Sequence, residues 1–133
     1  MIVDTSAVLA ILFGESDAEL YARALAQAES CRISAANFAE AAIVVDAQTK
    51  DKGSRQFDSL FRRAGITIEP VTEEQAYVAR QAYADFGKGR HPAGLNFGDC
   101  FAYALAKVTG EPLLFKGKDF KKTDIASALE RGK

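Results

Sequence analysis

Short strand-like segments alternate along this chain with longer segments of helical spacing, and this alternation is the strongest constraint on its fold. Several of the short segments are apolar at consecutive positions, which is typical of parallel strands covered on both faces. Strands that alternate with helices form parallel sheets with helices packed against them. The sequence therefore predicts an α/β fold with a central parallel sheet of four to five short strands, flanked by helices on both faces. The predicted strands are Ile2–Val3, Cys31–Ser34, Ile66–Glu69 and Pro112–Phe115.

The length and composition are those of one globular domain. The chain has 133 residues, of which 48% are hydrophobic and 26% are charged, values close to the averages of soluble proteins. Its longest apolar run, Ala7–Phe13, falls far short of the ~18 residues of a membrane span, and no basic leader precedes it. We therefore expect a single domain over residues 1–133, located in the cytoplasm.

Cysteine and histidine usage excludes several kinds of site. Cys31 and Cys100 lie far apart and form no C-x-x-C motif, so neither a zinc site nor a redox motif is indicated. Both are expected to be reduced residues in or near the core. The single histidine, His91, lies in a glycine-rich loop, which is a poor setting for a Ser-His-Asp triad. If the chain is an enzyme, its chemistry therefore depends on carboxylates.

Four acids occupy positions where an unpaired carboxylate is costly. Asp4 and Asp119 follow the first and last predicted strands, whereas Glu40 and Asp99 lie in helical segments that are otherwise apolar. Buried carboxylates are usually paired, hydrogen-bonded or bound to a cation, because burial of an isolated charge is unfavourable. Oxygen ligands without histidine or thiolate suit Mg²⁺ or Mn²⁺. The four acids together therefore favour one metal site.

Each acid also has an ordinary structural interpretation. Asp4 and Asp99 are placed to cap the helices that begin beside them, and Glu40 could pair with a distant arginine. Asp119 has the character of a common turn residue. Four independent coincidences are less probable than a single site, so we keep the site as the preferred interpretation.

Four segments carry these acids along practically the whole chain: Ile2–Ala7, Ser34 with Glu40, Leu95–Ala106 and Leu113–Phe120. In this order they resemble the motifs of PIN-domain ribonucleases and, more narrowly, of the VapC-type toxins of bacterial toxin–antitoxin pairs. The resemblance implies a PIN-like domain that acts as a metal-dependent endoribonuclease and cleaves RNA phosphodiester bonds. It also implies that the four acids hold one or two Mg²⁺ or Mn²⁺ ions.

The same resemblance suggests roles for further residues. Thr5 or Ser6 is expected to orient the Asp4 carboxylate, and Asn96 is expected to contact either a metal-bound water or the substrate phosphate, although a helix cap is the commoner role of such a residue. Four residues are weaker candidates for contacts with the RNA backbone, which position RNA without reading its sequence. They are Arg90, His91, Lys116 and Lys118.

The resemblance further implies a homodimer, inhibited by a small cognate antitoxin protein, with no membrane partner. Four apolar residues admit two interpretations, a groove that binds the antitoxin or, as the preferred interpretation, a place in the core: Leu20, Tyr21, Phe57 and Phe61. The net charge of −1 does not by itself indicate nucleic-acid binding. From Lys107 onwards, however, seven basic residues accompany four acidic ones, so an RNA partner is permitted.

Two other functional classes stay open. In an α/β signalling receiver, Asp4 would accept a phosphoryl group with Mg²⁺, but such a site needs a further acidic pair near the first strand, and the chain offers none there. In a catalytically inactive interaction domain, the four acids would be purely structural. Substitution of Asp4 and Asp99 separates these classes from a ribonuclease.

Overall fold

The computed structural model describes residues 1–129, which form an α/β fold with a four-stranded parallel sheet. Its strand order is β3-β2-β1-β4, in agreement with the predicted fold class. The strands are β1 (Ile2–Val3), β2 (Cys31–Ser34), β3 (Ile66–Glu69) and β4 (Leu113–Leu114). The α-helices are α1 (Thr5–Leu12), α2 (Ala18–Gln27), α3 (Ala35–Gln48), α4 (Asp51–Ala64), α5 (Glu73–Phe86) and α6 (Phe97–Thr109).

Helices cover both faces of the sheet. Successive side chains of a strand point to opposite faces, so a buried strand packs against helices on both sides. Ile2 and Leu113 are fully buried in a cluster with residues of α5 and α6. Val3 and Leu114, one position further along each strand, are fully buried in a second cluster with residues of α1, α2, α3 and α4. The two clusters account for the continuous apolar character of the central strands.

The carboxyl ends of the strands meet at one edge, which is where open α/β sheets bind ligands. β1 lies between β2 and β4, and the Asp4 backbone N–H donates to the Leu114 carbonyl at 2.9 Å. Asp4 is thus the last residue held by the sheet before α1 begins. Since α3 also begins directly after β2, at its N-cap Ser34, residues of α1 and α3 reach the same edge.

One segment differs from the sequence-based expectation. The polar residues 50–53 predict a break between helices, but α4 already begins at Asp51 and extends over 14 residues. An acid in the first turn and Arg62 and Arg63 in the last complement the helix dipole, which explains why this polar segment is helical. At the other end, Ser127 forms a single parallel bridge with Leu113. Residues 130–133 of the predicted domain, including the basic Arg131 and Lys133, lie outside the described residues.

The two cysteines lie in the core, as the sequence predicts. Cys31 and Cys100 are both free thiols and both buried. Within residues 1–129, no helix combines the length and the apolarity needed to cross a bilayer.

Three of the four residues proposed for an antitoxin groove belong to the core instead. Tyr21, Phe57 and Phe61 are buried, and only Leu20 is substantially exposed, at 47%. Phe57 packs against Phe61 and against Phe38 of α3, with ring centroids 4.7 and 5.4 Å apart. This aromatic cluster joins α3 to α4, and the core role is confirmed for these three residues.

We expect Phe57→Ala to lower the free energy of unfolding by about 3–5 kcal/mol, because it leaves a cavity between α3 and α4. Chemical denaturation monitored by circular dichroism measures this loss. The matched control is Gln56→Ala at the neighbouring, exposed position, which should change stability by less than about 0.5 kcal/mol. Equal effects of the two substitutions would contradict the core role of Phe57.

Candidate active site

Asp4 is held at the end of β1 by the first turn of α1. It is the N-cap of that helix, and its Oδ2 accepts hydrogen bonds from the Ser6 N–H at 3.0 Å and the Ser6 hydroxyl at 2.6 Å. The Ser6 Oγ in turn accepts the backbone N–H of Lys116, just beyond β4, at 2.9 Å. The structural interpretation of Asp4 as a cap is therefore correct, and Ser6 orients its carboxylate as predicted.

The environment of Asp4 disfavours its charged form. The residue is only 3% exposed, and this burial is the main cause that raises the pKa of its carboxyl to about 7. The hydrogen bonds from Ser6 lower the pKa, whereas the nearby charges of Asp99 and Glu40 raise it further. The repulsion from these two acids indicates that three of the four predicted residues lie in one neighbourhood.

Glu40 extends from α3 into the space between α1 and α6. Its Oε1 accepts a hydrogen bond from the Thr5 hydroxyl at 2.7 Å, so Thr5 orients Glu40 rather than Asp4. The other side of the carboxylate lies against Gly98 of α6. A Cβ atom at Gly98 would be 2.6 Å from each carboxylate oxygen of Glu40, which is far too close, so only glycine leaves room for this carboxylate.

Asp99 combines a helix cap with a place in the acid cluster. Its Oδ2 accepts the Asn96 backbone N–H at 3.0 Å, while the Asn96 Oδ1 accepts the Asp99 N–H at 2.9 Å. In this reciprocal capping box, Asn96 acts as a helix cap. A cap was the alternative to a contact with the substrate. Burial raises the pKa of the Asp99 carboxyl, and the charges of Asp119 and Glu40 add to that increase.

Asp119 is the most peripheral of the four acids. It is exposed and precedes a short 3₁₀ helix, Phe120–Lys122. Its only described link to the cluster is its electrostatic effect on Asp99. The structure therefore places Asp119 beside the other acids but in contact with solvent.

The four candidates for RNA contacts have different surroundings. Lys116 forms ion pairs with Glu15 and with Asp17, so its ammonium group is already engaged. His91 packs its ring against Phe86 and accepts the Ala93 N–H. Two of the candidates present exposed cations, and one of these, Arg90, lies over the Tyr83 ring. The other exposed cation is Lys118.

Asn37 is a residue of this region that sequence reasoning missed. It is fully buried in α3, and its Nδ2 donates to the Gly98 carbonyl at 2.9 Å. Its Oδ1 has no hydrogen-bond partner among the described residues. The available signal was an amide among the apolar residues at the start of α3, three positions before Glu40 and hence on the same helix face.

Among residues 1–129, no basic side chain forms a salt bridge with the acid cluster. None of the salt bridges among residues 1–129 includes Asp4, Glu40 or Asp99. In the same part of the chain, no three acidic, histidine or cysteine side chains are positioned to hold a metal ion as they stand. The donors are nevertheless all carboxylate oxygens with unfavourable mutual repulsion, and this chemistry fits a hard divalent cation such as Mg²⁺ or Mn²⁺.

The fold and the site together define a class of protein, namely a parallel α/β domain with acids at the carboxyl edge of its sheet. The sequence matches the PIN domain family over residues 1–126. The chain therefore belongs to the PIN-domain family.

Within that family, the relatives of this chain are VapC ribonucleases. It is 57% identical over 132 residues to a VapC ribonuclease of Mycobacterium bovis and to ribonuclease VapC28 of Mycobacterium tuberculosis, covering 98% of this chain and 99% of each relative. A ribonuclease VapC of Mycolicibacterium smegmatis is 50% identical over 127 residues, with 96% and 98% of the two chains covered.

Two solved structures share the fold at low sequence identity. The first is VapC20 of Mycobacterium tuberculosis, a sarcin–ricin loop cleaving toxin, with a TM-score of 0.75 and 16% identity over 94% of this chain and 95% of that one. The second is a chain of a toxin–antitoxin complex from Klebsiella pneumoniae, with a TM-score of 0.68 and 15% identity over 92% of both chains. At these identities the comparison establishes the fold alone.

The raised pKa of Asp4 predicts a specific pH dependence in metal-free protein. The folded state retains a proton on Asp4 up to about pH 7, whereas the unfolded chain releases it near 3.8. The Asp4 contribution to the free energy of unfolding is therefore present below about pH 4 and is lost as the pH rises through 7. Asn removes this titration and keeps a cap acceptor, so Asp4→Asn should be more stable than wild type at pH 8, by up to about 4 kcal/mol.

Denaturation in EDTA at a series of pH values measures this difference. The control is Asp58→Asn, which alters an exposed acid of α4 and should follow the wild-type pH profile. If Asp4→Asn also follows the wild-type profile, the Asp4 carboxyl is not held in its protonated form.

Proposed function

We propose that this chain is a metal-dependent endoribonuclease that acts as the toxin of a toxin–antitoxin pair. The observation that carries the proposal is the cluster of Asp4, Glu40 and Asp99, whose charges repel one another and which form no salt bridge among residues 1–129. The close VapC ribonuclease relatives, similar over nearly the full length, support the ribonuclease activity.

In this proposal Asp4 and Asp99 are the tightest ligands of Mg²⁺, for which Mn²⁺ substitutes, while Glu40 and Asp119 act more through bound water. A cation bound by these acids would supply an activated water for attack on phosphorus and stabilise the leaving oxygen. The roles of the chain's own residues follow from their contacts. Ser6 favours the charged form of Asp4 by donating two hydrogen bonds to it, and Thr5 fixes one oxygen of Glu40.

Proton release should accompany cation binding to this site. Carboxylate ligands bind a metal in their ionised form, whereas burial keeps the pKa of Asp4 at about 7. A cation therefore competes with a proton at Asp4 near neutral pH. Apparent affinity for Mn²⁺ is expected to rise with pH across this range.

The proposed partners are RNA and a small antitoxin protein. Arg90 and Lys118 present exposed cations for contacts with the phosphate backbone. The solved toxin–antitoxin complex with the same fold is the precedent for an antitoxin. We extend the proposal to a homodimer in the cytoplasm, which size measurement in solution and cell fractionation test.

RNA cleavage in Mn²⁺ tests the activity. Wild type should cut single-stranded RNA, and Asp4→Asn and Asp99→Asn should each lower the rate by at least about 100-fold, while the exposed-acid variant Asp58→Asn keeps it. Cleavage that survives both site substitutions would refute the mechanism. A wild type that cuts no RNA but takes up phosphate from acetyl phosphate would instead be a signalling receiver, and one that does neither would be an inactive interaction domain.

Asp99→Asn should separate metal binding from folding. Asn retains the oxygen that accepts the Asn96 N–H and removes a like charge, whose repulsion and burial raise the pKa of Asp99. We expect at least about tenfold weaker Mn²⁺ binding by calorimetry, together with an unchanged or higher melting temperature in EDTA. A large loss of metal-free stability would show that Asp99 is structural.

A further inference from the structure

We propose that Asn37 and Gly98 are positioning residues that set the location of the Glu40 carboxylate relative to Asp99. The inference rests on the proposed ribonuclease function, in which Glu40 and Asp99 act at the same site. It concerns two residues that carry no charge and contribute no ligand.

The first observation is a buried amide that joins α3 to α6. Asn37 has no exposed surface, and its only described side-chain hydrogen bond goes from Nδ2 to the Gly98 carbonyl at 2.9 Å. Its Oδ1 is left without a described partner, which makes the residue a costly choice for the core. A role in stability alone would favour a leucine of similar size, so the amide is better explained by the helix contact that it makes.

The second observation is the absence of a side chain where Glu40 meets α6. Gly98 does not have a positive φ, so the backbone conformation does not require glycine. Glycine is also less favourable than alanine in a helix. What requires glycine is space, because a Cβ here would be 2.6 Å from both carboxylate oxygens of Glu40 and 2.9 Å from its Cδ.

Together these contacts hold Glu40 from two sides. The Thr5 hydroxyl binds Oε1 at 2.7 Å, and Gly98 allows the carboxylate to lie directly against α6. Asn37 lies one turn before Glu40 on α3, and its side chain donates to the Gly98 carbonyl of α6. Because Asp99 follows Gly98 in the chain, the position of Glu40 against Gly98 also sets its position relative to Asp99.

Gly98→Ala is the direct test. The added methyl group must displace the flexible Glu40 carboxylate, and misplacement of a catalytic group by about 1 Å costs on the order of 100-fold in rate. We expect a loss of that size in kcat for RNA cleavage and weaker Mn²⁺ binding measured by calorimetry without RNA. The melting temperature in EDTA should be unchanged or higher, because alanine is the better helix former.

A shorter acid at position 40 supplies the control. In a Glu40→Asp background the carboxylate ends one methylene earlier, so Gly98→Ala no longer meets it. The added alanine should then change kcat and Mn²⁺ affinity by no more than about twofold. An equally large loss in this background would show that the methyl group acts elsewhere and would overturn the inference.

Asn37→Leu tests the amide separately. It keeps the branched shape and the number of non-hydrogen atoms and removes both the Nδ2 donor and the unpaired Oδ1, so metal-free stability should stay close to that of wild type while kcat and Mn²⁺ affinity fall. Gln48→Leu, at an exposed position near the end of α3, is the matched control and should keep both. If Asn37→Leu matches Gln48→Leu in activity and affinity, Asn37 has no positioning role.

These outcomes also separate this inference from the proposed function. A wild type that neither binds Mn²⁺ nor cleaves RNA overturns both. A wild type that does both, alongside a Gly98→Ala variant with the same kcat and affinity, overturns the positioning role alone.

Discussion

The repulsion among neighbouring carboxylates is the constraint on which the rest of this structure depends. Asp4 is almost fully buried, and the charges of Glu40 and Asp99 add to the cost of ionising it. No salt bridge among residues 1–129 relieves these three acids. The protein holds them through neutral groups instead, since Ser6, Thr5 and Asn96 each supply hydrogen bonds to one carboxylate. Such an arrangement opposes folding, which is the usual relation between stability and a functional site.

The sequence was sufficient for the sheet and for the acids, because both follow from local patterns. Short apolar or alternating segments marked all four strands, and an acid at a strand end or in an apolar helix was visible without any structure. The same local logic failed for segment 50–53, where charged residues that suit a helix terminus were read as a break. The resemblance pointed to Thr5 or Ser6 as the residue that orients Asp4, and the sequence alone could not choose between them. Ser6 binds Asp4, whereas the Thr5 hydroxyl binds Glu40, 35 positions away.

Asn37 and Gly98 show why the remainder of the site was not predictable. Neither has a residue type that signals chemistry, and each gains its significance only when α3 packs against α6. Lys116 shows a second kind of limit. Its charge suggested a phosphate contact, but Glu15 and Asp17 from the turn between α1 and α2 engage its ammonium group. Charge identifies candidates, whereas packing decides which atoms are available.

The hydroxyl of Ser6 has a mechanical consequence. β1 and β4 are each two residues long, and their ladder ends with the bond from the Asp4 N–H to the Leu114 carbonyl. The Ser6 hydroxyl then accepts the Lys116 N–H and donates to Asp4. A side chain thus continues the hydrogen bonding between the two strands at the point where the backbone has turned into α1. Asp4 is therefore held to β4 both by its backbone and, through Ser6, by its carboxylate. A shift of the turn after β4 would be transmitted through this one hydroxyl to the carboxylate.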